Sequence, residues 1–229
     1  MSLISKFRDT AQGIGYWNAV LFAASRAVEA VFGDKVRIVK YLITVQPVAR
    51  TEVNPGTGTF EIAFTDDAAC PLFAEIARPA ETIRTRFAQG ARCLMAVSKG
   101  KFAGFLWFVV GPYEEDDVRV RFVPAPSGRA AWDFDVMVMP DFRMGRLFSH
   151  LWRRASAELC AMGVEHTLSR ISAFNASSIA AHRRLGARVV GSTLFFCIGR
   201  WQLMQTSFSP RWHLSWRTEQ RPVVTVAAN

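Results

Sequence analysis

The chain has 229 residues, half of them hydrophobic and 21% charged, with a net charge of +9. That composition excludes a disordered chain and is apolar enough to bury a sizeable core. The longest uncharged run, residues 10–25, is sixteen residues long and contains Gln12, Asn18 and two glycines, short of the roughly 18–20 apolar residues that a spanning helix needs.

From the N-terminus, Lys6, Arg8 and Asp9 interrupt the stretch that a secretory leader would keep apolar, so a cytoplasmic protein is expected. Residues 16–33 read as a helix with Trp17, Val20, Leu21, Ala24, Val28, Val31 and Phe32 on one side and Gly33 as its stop. Residues 36–48 read as a strand, and 53–59 as turns marking a boundary. Asp66 or Asp67 caps a helix running to about Ala77, and a second helix follows Pro79 and ends at Gly90. Residues 92–98 and 102–110 are apolar β-rich runs split by Lys99-Gly100-Lys101, the pattern of a hairpin. The acidic stretch Glu114–Asp117 reads as a solvated loop, or as an acidic approach for an amine.

Residues 118–123 alternate as a strand does, and 132–139 form a strand closed by Pro140. Residues 143–162 carry the strongest helical period, with Leu147, Leu151, Ala155, Leu159 and Met162 on one stripe. A strand at 166–173, a helix at 175–185 and a long β-rich run at 188–204 follow; Trp212 and Trp216 stand in a tail over 205–229. Antiparallel pairing is expected for the first half, and crossover helices demand parallel strands in the second. The fold class is α/β, a mixed central sheet flanked by helices. Residues 1–60 are expected to form an extension of helix plus strand, 61–204 the core and 205–229 a tail.

Cys70, Cys93, Cys160 and Cys197 form no CxxC pair, and the four histidines form no metal-binding spacing. Neither a disulfide framework nor a metal site is expected. Of 28 basic residues, 23 are arginine, and residues 143–188 hold eight of them against Glu158 and Glu165. Arginine forks match phosphate oxygens, so a phosphate-bearing partner is one reading of this excess and compositional bias is the other.

Two stretches carry chemistry. From Val138 to Phe148 a strand ends at a proline, turns, and enters a basic helix. A helix start offers unpaired amides and the positive end of the helix dipole, hence an anion site, and Arg143 and Arg146 add charge there. From Asn175 to Ala187, Asn175 caps a helix and Gly186 stops it, with Ser178 and His182 one turn apart on one face. Asp133 and Asp135 alternate along the preceding strand, so they are expected to share one face, with Phe134, Val136 and Val138 on the other.

Together these residues resemble the GNAT acyl-CoA N-acyltransferases over roughly residues 66–203. The family's phosphate-binding signature, Val-x-Pro-x-x-Arg-x-x-Gly-x-Gly/Ala, is met by Val138, Pro140 and Arg143, but its later glycine positions hold Arg146 and Phe148. Its next motif is met by Asn175, Ser178 and Gly186, with His182 where the family has tyrosine and Ala187 where it has phenylalanine. Arg146 either replaces lost backbone contacts with charge-assisted bonds or fills the site.

The resemblance implies a GNAT-like sheet and a cytoplasmic N-acyltransferase. Its donor would be acetyl-CoA or another acyl-CoA, held by Val136, Val138, Arg143, Met144, Gly145, Arg146, Leu147, Phe148, Asn175 and Ser178. A small-molecule amine or amino acid would attack the thioester directly in a cleft between the family's fourth and fifth strands. His182 is the candidate acid, and Asp133 and Asp135 are candidate bases. Backbone amides around Val136–Val138 would bind the thioester oxygen, as the family does at a strand bulge. The alternatives are an N-acyl amino acid synthase with a longer acyl donor, perhaps on an acyl carrier protein, and a non-catalytic acyl-CoA-binding module. A homodimer is an open alternative. Nucleic-acid binding explains the charge but not the motif pair.

Overall fold

The computed structural model describes residues 3–49, 59–76, 78–143 and 145–228. The turns expected at 53–59 therefore lie, but for residue 59, outside the described residues. In chain order the elements begin with α1 (Leu3–Ile14), α2 (Tyr16–Phe32), β1 (Val36–Pro47) and β2 (Glu61–Thr65). A short 3-10 turn at Pro71–Glu75 precedes α3 (Ala80–Ala88), β3 (Arg92–Ser98), β4 (Lys101–Val109), β5 (Tyr113–Glu114) and β6 (Arg121–Ala125). Then come β7 (Ala130–Val138), α4 (Leu147–Ala161), β8 (His166–Ser172), α5 (Ala176–Arg184), β9 (Arg188–Ile198), β10 (Trp201–Thr206), β11 (Trp212–Ser215) and β12 (Val223–Ala227). No helix among the described residues is long and apolar enough to cross a membrane.

The chain forms a mixed α/β fold and divides into two compact units. The first gathers Met1–Gln46, Glu115–Val123 and Ser169–Val226; the second gathers Pro47–Glu114, Pro124–Leu168 and Ala227–Asn229.

In the first unit the strand order is β11-β10-β9-β1, followed by the second half of β8. β1 runs antiparallel to β9, and β9, β10 and β11 are successive antiparallel neighbours. Two expectations change here. The sequence places β8 and β9 as parallel neighbours around α5, whereas β1 lies between them. A strand from the other end of the chain can enter a sheet without leaving any mark on the order of its neighbours. The run at 188–204 is two strands turning at Gly199, whose φ of 54° suits glycine. Residues 205–229, read as a tail, contain two strands. An unexpected helix, α1, packs Phe7 and Ala11 with Ile14, Ala19, Ile171 and Ile179. α2 turns Ala19 inward, while Trp17 and Val31 of its expected buried stripe are 75% and 73% exposed.

In the second unit the order is the first half of β8, then β7, β4, β3 and β2. β2, β3, β4 and β7 pair antiparallel. β7 and β8 are neighbours joined through α4, the crossover that a parallel pair requires. The β3–β4 hairpin closes on Lys99 and Gly100 at φ 49° and 74°, the two positive φ values of a two-residue turn that follows strand twist. The helix expected between Asp66 and Ala77 is only the 3-10 turn at Pro71–Glu75, and Ala77 lies outside the described residues. Four of the five expected α4 stripe residues are buried; Met162, past the helix end, is exposed.

Aromatic rings fill this core. Trp107 stacks on Phe73 and Phe134, and Tyr113 stacks on Phe134 at 4.1 Å between centroids. Gly104 lets β4 lie against β7, since a Cβ there would stand 2.4 Å from the Met137 carbonyl oxygen and 3.2 Å from Val138 Cα. Gly104→Ala is expected to lower stability by about 1–3 kcal/mol through overpacking, read from the urea midpoint. Gly145→Ala, whose Cβ would approach Phe142 O no closer than 3.4 Å, is expected to stay within about 0.5 kcal/mol of wild type.

Candidate functional site

The strand that leads into the turn at Pro140–Phe142 is irregular. Asp133 pairs with Phe108, Phe134 with Trp107 and Val136 with Leu106, so Asp135 is an extra residue with no partner on β4. Its φ is 52°, a left-handed conformation that aspartate tolerates better than most side chains. This is a β-bulge, and it reverses the alternation of the strand. The expectation that Asp133 and Asp135 share a face is corrected by this register. Asp133 and Val136 lie on the face of Phe108 and Leu106, while Phe134 lies on the face of Trp107.

Asp135 is held by two arginines. Arg78 donates to both carboxylate oxygens, from Nε at 2.9 Å and Nη2 at 2.8 Å, and Arg86 donates from Nη1 at 2.8 Å. Arg86 is 2% exposed. Its guanidinium stands 5.3 Å from the Trp107 ring centre and 5.2 Å from that of Phe134, so ring faces and carboxylate together replace its water. Burial pushes the Asp135 carboxyl upward, but the Arg86 charge and the bonds from Arg78 and Arg86 outweigh it and hold it below the usual carboxylate range. Asp133 is also buried.

Beyond the bulge, Val136 and Val138 are half-buried. Arg143 Nε donates to the Val138 carbonyl at 3.0 Å, folding the turn back on the strand end. Pro140–Phe142 form a 3-10 turn, so α4 begins at Leu147 rather than at 143. The amides of Phe142, Arg143 and Gly145 are spent on carbonyls within this turn. Arg146 at the cap position makes no side-chain bond to the first turn of the 15-residue α4. The exposed Arg146 is at the cap position. Leu147 is buried, which leaves only its backbone for a ligand, and Phe148 is half-buried near Trp152. Met144 lies outside the described residues. Phe60 meets Phe142 and His150 edge-on beside this turn. Burial, and behind it the charges of Arg153 and Arg146, hold His150 below its usual pKa.

Asn175, Ser178 and His182 belong to the other unit. Asn175 caps α5, its Oδ1 accepting from the Ser178 amide at 3.0 Å and the Ser177 hydroxyl at 2.8 Å. His182 is buried at 3% exposure, with Nδ1 2.9 Å from the Ser178 carbonyl. A carbonyl only accepts, so Nδ1 is the donor in this contact.

The acidic loop reads differently in three dimensions. Glu115 is fully buried, accepting from Arg170 Nε at 2.6 Å and from the Tyr41 hydroxyl at 3.2 Å. Burial raises its carboxyl despite the Arg170 charge. Sequence reasoning missed Arg78, Arg86, Glu115 and Arg170. The available signal was Arg86 three residues after Ile83, on the inward side of α3.

The chain combines a mixed sheet, flanking helices and a bulged strand that leads through a short turn into a basic helix. The chain has the GNAT fold. A GNAT-family protein from Novosphingobium aromaticivorans, described as an acetyltransferase, matches with a TM-score of 0.50 at 19% identity, over 70% of this chain and 66% of that one. A tandem GNAT protein from the clavulanic acid biosynthesis pathway matches with a TM-score of 0.47 at 16% identity, over 75% and 57% of the two chains. This chain thus covers less than two thirds of the length of the first solved structures it matches. No family model and no curated protein sequence matches it.

Asp135→Asn leaves the buried Arg86 charge without its anion and is expected to cost about 3–5 kcal/mol of stability. The pH dependence has a definite sign. Because the folded-state pKa of Asp135 is depressed, its contribution is present above the unfolded-state value near 3.9 and is lost as pH falls through the lower folded value. Urea titrations from pH 6 to pH 2 are expected to show a steeper acid loss in wild type than in Asp135→Asn.

Proposed function

We propose that the protein is an N-acyltransferase that moves an acetyl group from acetyl-CoA to the amine of a small-molecule acceptor by direct attack. The observation that carries this reading is the bulge at Asp135, which lies five residues before a turn into an uncapped, arginine-flanked helix. The residues suit a diphosphate: Arg146 at the cap of α4 makes no side-chain capping bond, Arg146 and Arg143 supply charge, and Gly145 leaves the approach to the turn open. When bound, the acyl-CoA supplies the activated thioester carbonyl.

The chain's own residues have four tasks in this reading. Arg143, Arg146 and the Leu147 and Phe148 amides hold the diphosphate. The Val136–Val138 backbone, placed just beyond the bulge, orients the acyl end. Arg78 and Arg86 hold Asp135 and so keep the bulge in place. A carboxylate held below its usual range is a poor proton acceptor near neutral pH, so Asp135 is a positioning residue. Asp133 and His182 remain the candidates for moving the amine and thiol protons.

A second reading, an acyl-CoA-binding module without catalysis, is favoured by one observation: Asp133 and His182, the candidates for proton transfer, are both buried. Calorimetry with acetyl-CoA is expected to give 1:1 binding that Arg143→Ala and Arg146→Ala each weaken about tenfold, the loss of one charge-assisted contact. Absence of binding at millimolar acetyl-CoA overturns both readings. Thiol release over a panel of primary amines separates them: turnover that falls in His182→Gln supports transfer, and retained binding without release supports the module.

A further inference from the structure

A pocket of about 130 Å³ opens in the first unit, lined by loop residues 116–119 together with residues of β1, β9 and β10, Gly199 and Arg221. None of its lining residues belongs to the acyl-transfer reading. Its distinguishing feature is three guanidinium groups, from Arg37, Arg119 and Arg221.

Two of these cations meet only neutral partners. Arg37 Nη2 donates to the Asp117 carbonyl at 3.0 Å. Arg119 donates from Nη1 to the Arg217 carbonyl at 3.1 Å and from Nη2 to the Arg200 and Ser215 carbonyls at 2.6 and 3.2 Å. Among the described residues neither forms an ion pair. A carbonyl satisfies an N–H but leaves the charge uncancelled, and the planar fork retains donors matched to a carboxylate or phosphate. Arg221 places a third guanidinium on the same wall, its Nη1 donating to the Glu115 carbonyl at 3.1 Å.

We propose that this pocket binds the oxyanion group, phosphate or carboxylate, of a small molecule, with Arg37 and Arg119 as its principal donors. Its volume is below the roughly 300 Å³ at which sites for whole drug-sized ligands begin, so it takes a charged head rather than an entire cofactor. Asp116 and Asp117 are exposed in the lining and repel a polyanion, which selects a single oxyanion over nucleic acid. Trp201, half exposed in the lining, offers an indole surface to the rest of the ligand. Burial raises the Cys197 thiol, which stays protonated, so the pocket binds without covalent chemistry.

The test is calorimetry of the full chain with inorganic phosphate and, separately, with acetate, at constant ionic strength set with chloride. Binding of either at 1:1 is expected, and the one that binds identifies the group. Arg37→Gln is expected to weaken it at least tenfold, about 1.4 kcal/mol. Arg37→Lys is expected to weaken it less, because it keeps the charge. Arg37 is exposed and spends one bond on the backbone, so its variants are expected to fold; Arg119→Gln, which loses three, is read only if circular dichroism is unchanged. Arg143→Gln is expected to leave the affinity intact, and Arg37→Gln to leave acetyl-CoA binding intact, so this proposal and the acyl-transfer reading fail separately. Binding of neither anion in the millimolar range, or binding that Arg143→Gln abolishes and Arg37→Gln does not, overturns the proposal.

Discussion

The grip of Arg78 and Arg86 on Asp135 is the interaction on which the second unit depends. A left-handed aspartate in the middle of a strand is costly, roughly 1–3 kcal/mol for a strained backbone position. Two guanidiniums, one of them almost wholly buried, offset that cost by fixing the carboxylate from outside the strand. If Asp135 paired as a regular strand residue, β7 would keep a simple alternation, and Val136 would face with Phe134 instead of with Asp133. The bulge therefore decides which side chains of the strand end reach which face, immediately before the chain turns toward α4.

The surrounding core makes this arrangement specific. Arg86 is held between an anion and two aromatic faces, so its charge is solvated by protein rather than by water. Breaking such a buried pair is costly chiefly because one charge is left behind. Gly104 adds a steric constraint on the opposite strand, where β4 passes too close to the Met137 carbonyl for any side chain. Electrostatics and close approach thus act on the same few residues, 133–138 of β7 and 104–108 of β4.

The arginine excess divides into three populations with different physics. Some arginines hold buried carboxylates, as Arg86 does for Asp135 and Arg170 for Glu115. Some fold back on main-chain carbonyls, as Arg143 and Arg119 do. Others, including Arg146 and Arg153, stand exposed around the start of α4. The net charge of the chain reports none of this division, because a buried ion pair and an exposed guanidinium differ in environment rather than in residue type.

Much of the fold was legible in the residues alone. Apolar β-rich runs split by Lys99-Gly100-Lys101 marked β3 and β4, a strand closed by Pro140 marked β7, the 3.6-residue period marked α4, and Asn175 with Gly186 bounded α5, because these are local properties of a few consecutive side chains. The ordered Val-x-Pro-x-x-Arg and Asn-x-x-Ser stretches pointed to the GNAT fold for the same reason. Insertion of β1 between β8 and β9, the outward stripe of α2, the bulge at Asp135 and the burial of Glu115 were decided only in three dimensions. Each depends on a partner distant in sequence: Arg78 and Arg86 lie 57 and 49 residues from Asp135, and Arg170 lies 55 from Glu115. A short-range pattern records the side chain's type, while its charge state, face and neighbours are set by whichever remote segment packs against it.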